Sequence, residues 1–172
     1  MANEVFQVIP PRSFVVFSTA LILGLIALTA YVWLITVDNV RYITLSITLI
    51  ILAICAYFFI VAPYQTSIVL NDQIEVIAPP YAHESISKDV VLKSYVADIG
   101  RDENLRPVLR VGGTSFGSYK VGWFKLKNGK TALIVATQSR VVCFELKDKI
   151  VMISPNDFER FVNAPKVRSY LD

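Results

Sequence analysis

The chain has 172 residues, 54% hydrophobic and 18% charged, with a mean hydropathy of +0.52 and a formal net charge of +3. That composition is too apolar for a disordered chain, two cysteines are too few for a disulfide-stapled miniprotein, and the charge is too small for a dedicated nucleic-acid binder. A single histidine, His83, excludes a histidine-based metal site or a pair of catalytic histidines, and no metal, cofactor or nucleic acid is expected.

The charges are unevenly placed. Residues 1–63 hold only Glu4, Arg12, Asp38 and Arg41, whereas residues 64–172 hold 15 Lys/Arg and 12 Asp/Glu. Two uncharged runs dominate the first part, Ser13–Val37 with 25 residues and Tyr42–Ala62 with 21. At 1.5 Å rise per residue, about 20 apolar residues cross a bilayer core. Only Asp38-Asn39-Val40-Arg41 separates the runs, so they predict a helical hairpin with a polar turn. Tyr31, Trp33, Tyr42 and Tyr64 fall near the ends of the runs, where amphipathic rings favour the headgroup level. Pro63 is expected to close the second helix. Ala20 and Gly24 sit four apart, a spacing that lets helices approach closely, either within the hairpin or along a seam between two copies. Two buried helices of a soluble protein, or a signal peptide for the first run, are the competing readings. Both runs exceed the 10–14 residues of a buried core helix. The first exceeds the 7–15 of a signal core, and no A-x-A site follows it. An even number of spans puts both termini on one side. The few basic residues near the spans favour the cytoplasm, which implies an integral protein of the cell inner membrane with its domain in the cytoplasm.

After Pro63 the period changes. Strand patterns run over Gln65–Leu70, Gln73–Ile77, Ser87–Val96, Leu105–Val111, Val121–Lys127, Lys130–Thr137, Arg140–Leu146 and Ile150–Ile153. About seven short strands with turn signals between them suggest a sandwich or barrel. Asn128-Gly129 between two strand patterns is the strongest hairpin signal. Ser154-Pro155-Asn156-Asp157 supplies a capping serine, a proline at the first helical position and an acid in the first turn. Phe158, Phe161 and Val162 then form one apolar stripe of a terminal helix.

The segment from Gly113 through Gly122-Trp123-Phe124, then Asn128-Gly129-Lys130, Ala132–Val135, Arg140-Val141-Val142 and Ile153–Phe161, resembles the bacterial PH-like (pleckstrin-homology-like) domain family, often attached to membrane spans. The resemblance covers roughly residues 65–164. It implies a mainly-β PH-like barrel capped by a C-terminal helix, a scaffold-like role and no particular activity. The resulting division is an N-terminal tail (1–12), a transmembrane hairpin (13–63), a PH-like domain (64–164) and a C-terminal tail (165–172).

Candidate contacts follow from residue types. Gly112, Gly113, Thr114 and Ser115, between Arg110 and Lys120, could form an anion cradle of backbone N–H groups, hydroxyls and cations. The segment is not a Walker loop, because Ser118 stands where lysine is required. A glycine-bearing loop joining two strands is the simpler reading. Lys125 and Lys127, on one strand face with Lys130 near, could meet anionic lipid or simply solvate a hairpin tip. Trp123 and Phe124 must face opposite sides of a strand. Cys143 reads as a packing thiol. No nucleophile elbow, metal cluster or cofactor loop is legible, so a non-enzymatic role is expected. The domain would dock a protein partner or a second copy, or alternatively read an anionic lipid headgroup.

Overall fold

The computed structural model describes residues 4–36 and 38–171. They form two units: Pro11–Tyr64, and the described residues up to Pro10 together with those from Gln65 onward.

The first unit is the expected helical hairpin. Helix α1 (Arg12–Ile35) and helix α2 (Asp38–Ala56) are joined through Thr36. Asp38 to Arg41 open α2 rather than forming a separate turn. Val37 lies outside the described residues. A π-helical stretch (Tyr57–Val61) and a final helical turn, α3 (Ala62–Tyr64), continue α2. Pro63 therefore does not stop the helix where expected. A proline cannot donate to the ladder and crowds the preceding turn, and the wider i→i+5 spacing precedes it, with the Ala62 N–H bonded to Tyr57 O. Two helices, Arg12–Ile35 and Val40–Tyr64, are long and apolar enough to cross a membrane, with hydropathies of 2.3 and 2.7. Only 6% of each apolar window is buried, unlike the core helix of a soluble protein. At the α1–α2 end, Trp33 and Tyr42 meet edge-to-face at 6.1 Å and the Arg41 guanidinium lies 4.9 Å over Trp33. Tyr31 and Tyr64 are exposed. Gly24 does not serve the hairpin contact, since a Cβ there would meet nothing within 4 Å.

The second unit holds two open sheets. The first is β1-β2-β3-β4, antiparallel throughout (Glu4–Gln7, Ser67–Leu70, Ile74–Ala78, Ala82–Ile86). The second is β5-β9-β10-β8-β7-β6 (Lys93–Asp98, Arg140–Glu145, Lys149–Ser154, Thr131–Ala136, Tyr119–Leu126, Pro107–Phe116), with β8 and β10 parallel. These sheets do not close into the expected barrel. A 3-10 turn (Lys88–Val90) interrupts the strand expected over Ser87–Val96 and parts the sheets. The ten strands among the described residues include two that the pattern missed, β1 and β4.

β1 corrects the expected N-terminal tail. Phe6 pairs with Ile68, and both are buried. The chain leaves the sheet at Val8, whose N–H bonds Thr66 O at 3.2 Å, and returns at Thr66. The helical hairpin is thus inserted between two paired strands that would ordinarily need only a tight turn. Phe6 meets Phe161 edge-to-face at 5.3 Å.

The expected terminal helix is present but shifted. Ser154 ends β10, and Asp157 caps α4 (Phe158–Asn163) by accepting the Arg160 N–H. Asn156 instead clamps the exit segment. Its Oδ1 accepts the Ile9 N–H at 2.6 Å, and its own N–H bonds Gln7 O at 3.1 Å. The expected C-terminal tail is helix α5 (Pro165–Leu171), which buries Val167 and Tyr170.

Two cores result. One lies between the sheets and under α4 and α5, and includes Phe6, Val8, Ile68, Val121, Phe144 and Phe161. The other covers the opposite face of the second sheet, where Ile99 and Leu105 pack on Phe124, Leu126, Ile134 and Met152. Strands β8, β9 and β10 are therefore buried on both faces, which is why they read as nearly unbroken apolar runs.

Removing a buried phenylalanine side chain costs about 3–5 kcal/mol. Phe6→Ala, measured by urea denaturation of a soluble chain in which residues 4–10 are joined to 65–172 through a short glycine linker, is expected to lose that much. The chain 65–172 alone is expected to unfold at lower urea than the joined chain.

Candidate functional site

The glycine-rich segment is strand, not loop. Gly112 to Phe116 belong to β6, and only Gly117-Ser118 turns into β7. Gly113 and Gly122 face each other across the ladder with φ of 145° and 131°. A Cβ on Gly113 would stand 2.3 Å from Val121 O, and one on Gly122 would stand 2.3 Å from Gly112 O. The register shifts between Arg110 and Gly112, just before this crossing. These glycines thus serve close backbone approach within a strand pair, which corrects both the anion cradle and the loop expected there; the positive φ of Gly113 is as the loop reading expected. Thr114 lies with its hydroxyl 3.2 Å from the Tyr81 hydroxyl, and Ser115 is exposed opposite Lys120.

Arg110 and Lys120 do not share a concave site. Arg110 pairs with Phe124 and Ser115 with Lys120, about 13 Å apart along the strand at some 3.3 Å per residue. The cavity that takes in Lys120 takes in Arg106 instead. It measures about 440 Å³ and is lined by Ile99, Gly100, Arg106, Pro107, Ser118, Lys120 and Ser139. A strap over residues 99–106 builds it. The strap starts where the Ile99 N–H bonds Ser139 O and ends where Arg106 O accepts the Lys127 N–H. The Lys120 ammonium donates to Gly117 O at 2.6 Å, and burial holds its pKa below the usual lysine value. Among the described residues no carboxylate lies within 4 Å of Lys120 or Arg106.

The lysines of the Asn-Gly hairpin lie at the other end of β7. Lys127 pairs with Glu103 at 2.5 Å and Lys130 with Glu145 at 3.1 Å. Lys125 is exposed and reaches only Gly129 O, at 3.5 Å. Two of the three cations are neutralised in place, so they make no free basic patch. The Asn-Gly hairpin itself is present, with Gly129 at φ 82° and Asn128 Oδ1 accepting the Lys130 N–H.

Trp123 and Phe124 take opposite faces. Phe124 enters the second core, and Trp123 packs half-buried on the first with its Nε1–H bonded to Tyr81 O at 3.0 Å. Cys143 is fully buried, and desolvation pushes its thiol pKa up to about 12, so it packs as an inert thiol. His83 is exposed on β4.

The outer edge of β6 has no signature in the residue pattern. β6 ends the second sheet, and no strand pairs with its outer side among the described residues. Val108, Leu109 and Val111 are 61–62% exposed, on both faces of the strand. Arg106, Gly100 and Ser139 were missed too, because only the strap brings them together.

Open sheets capped by C-terminal helices define a PH-like domain. A family model for the bacterial PH domain matches residues 66–169, and the chain belongs to that family. No curated protein and no solved structure matches the chain. The match begins at Thr66, so the strand Glu4–Gln7 lies outside it.

Strained backbone costs of order 1–3 kcal/mol per residue. Gly122→Ala and Gly113→Ala are each expected to lower stability by at least that amount. Gly112→Ala, where a Cβ meets nothing within 4 Å, is expected to change the melting temperature little.

Proposed function

We propose that the chain is a non-enzymatic, membrane-anchored PH-like module that docks another protein along the outer edge of β6. The supporting observation is the run Val108-Leu109-Arg110-Val111, exposed on an unpaired edge strand. Natural proteins usually blunt such edges with charge, bulges or cover. An extended segment added there would gain main-chain hydrogen bonds, and the apolar side chains would set its register. The other edges are less open. The Tyr81 carbonyl at the start of the β4 segment is engaged by Trp123, and Asn156 bonds beside β1. Ser94 of β5 donates to Tyr170 O of α5.

The anchor reading rests on the length and exposure of the two apolar helices and on the aromatic rings at their ends. Pairing of β1 with β2 supports two crossings with both ends of the hairpin on one side. The scarcity of basic residues elsewhere near the spans supports the cytoplasmic side of the inner membrane.

Cysteine crosslinking in native membranes tests the docking. Leu109→Cys, in a chain with Cys55→Ser, alkylated with a maleimide–benzophenone photocrosslinker and irradiated, is expected to give a specific covalent adduct, whereas Lys147→Cys on the exposed β9–β10 turn, treated in the same way, gives none. An adduct of twice the chain mass identifies a second copy, and any other mass identifies a different protein. No adduct from Leu109→Cys contradicts the reading.

A further inference from the structure

The docking edge carries an unbalanced charge. Strands β6, β7 and β8 hold Arg110, Lys120 and Lys125 and no aspartate or glutamate. Arg110 and Lys125 are exposed, and among the described residues neither has a carboxylate within 4 Å. The acids of the neighbouring strap are already engaged. Glu103 pairs with Lys127 at 2.5 Å, and Asp102 accepts the Asn104 N–H at 2.9 Å. Asp98 accepts the Gly100 N–H at 2.9 Å and lies 3.8 Å from Arg101. Beyond the Asn-Gly hairpin, Glu145 is held by Tyr95 and Lys130.

The two exposed cations flank the apolar run on opposite faces. Leu109 pairs with Lys125, and Arg110 pairs with Phe124. Directly opposed residues share a face and successive residues alternate, so Leu109 and Lys125 stand on one face and Arg110 on the other. The register shifts between Pro107 and Leu109 and again between Arg110 and Gly112, which leaves Val108 and Val111 without an opposite residue on β7. Bulges of this kind break a regular ladder and re-aim side chains. Only Leu109 and Arg110 keep regular pairing between them, so a segment laid on this edge gains few main-chain bonds. Side chains must then carry the recognition. Three of those on offer, Val108, Leu109 and Val111, are apolar, and both charges are positive.

We propose that the segment docking on β6 is an extended acidic peptide of a different protein, with apolar residues among its carboxylates, an inference that rests on the reading of β6 as the docking edge. A carboxylate beside the Arg110 guanidinium forms paired, charge-assisted hydrogen bonds. A second, on an adjacent residue and so on the other face, meets Lys125, which stands one strand spacing, about 4.8 Å, inside β6. The apolar residues cover Val108, Leu109 and Val111. A second copy offers no such match. Its own edge brings the same cations and no acid, and like charges set opposite one another are destabilising. Charge complementarity of this kind governs specificity more than raw affinity, so discrimination between peptides is the property to measure.

The full chain in neutral phosphatidylcholine nanodiscs and a dye-labelled octapeptide, Val-Glu-Glu-Val repeated twice, test the proposal by fluorescence anisotropy. The glutamate peptide is expected to bind about tenfold more tightly than the same peptide with glutamine in place of glutamate, and the lysine version is expected not to bind. Added salt should erode that preference, because exposed charges are screened. Arg110→Glu, at an unchanged melting temperature, is expected to weaken the glutamate peptide at least tenfold and to let the lysine peptide bind. Arg110→Gln, which introduces no new charge, should weaken the glutamate peptide less. The proposal is overturned if the glutamate peptide fails to bind, if it binds no better than the glutamine peptide, or if Arg110→Glu leaves its binding unchanged. An adduct of twice the chain mass from Leu109→Cys in native membranes overturns it as well. Equal binding of the glutamate and glutamine peptides, with a Leu109→Cys adduct still formed, removes the acidic partner and keeps the docking edge. Absence of that adduct removes the edge itself.

Discussion

The pairing of β1 with β2 is the contact on which the rest of the second unit depends. Four residue pairs, from Glu4↔Leu70 to Gln7↔Ser67, join segments separated by the whole helical hairpin. The Val8–Thr66 hydrogen bond and the Asn156 clamp close the pair at the point where the chain departs. Phe6 then anchors α4 through Phe161, with the Arg160 guanidinium 5.6 Å over its ring. The domain cannot complete its first sheet until both ends of the hairpin have come together. Closing so long a loop costs entropy only logarithmically in length, so apolar burial at Phe6 and Val8 can offset it. The topology also requires both ends of the hairpin to emerge on one side of any membrane it crosses.

The second sheet solves a different problem. Its central strands are apolar on both faces, so each face needs a cover. The first sheet and the two terminal helices supply one, and the strap through Ile99 and Leu105 supplies the other. The strap covers less than a helix would, and the space beside it is the Lys120–Arg106 cavity. Beyond it the sheet runs out into β6, whose first half is exposed and, among the described residues, has no strand on its outer side. Cavity and edge are both consequences of a two-faced apolar sheet covered unequally.

The features legible in the sequence were those carried by local periodicity. Two uncharged runs, the Asn128-Gly129 turn, and the Phe158–Phe161 stripe each specify their element within a few residues. The two missed strands lack such a signal. Ala82–Ile86 is polar at His83, Glu84 and Ser85, and Glu4–Gln7 is too short to show a period. The helix cap was misplaced by three residues because Ser154, although a good capping residue by type, is the last residue of a strand buried on both faces. The candidate anion cradle mistook glycines that permit close backbone approach for glycines that bind a ligand. In sequence both look alike, and only the Gly113–Gly122 pairing separates them. Arg106 and Ser139 share a cavity through a crossing strap, which no spacing rule encodes.

The N-terminal segment is a strand of the domain rather than a tail. Amide hydrogen exchange of the full chain in nanodiscs tests it most directly. The peptide covering residues 4–8 is expected to be protected to the same extent as the peptide covering 67–70, its partner strand. Exchange of residues 4–8 at the rate of an unstructured chain, with 67–70 protected, would contradict it.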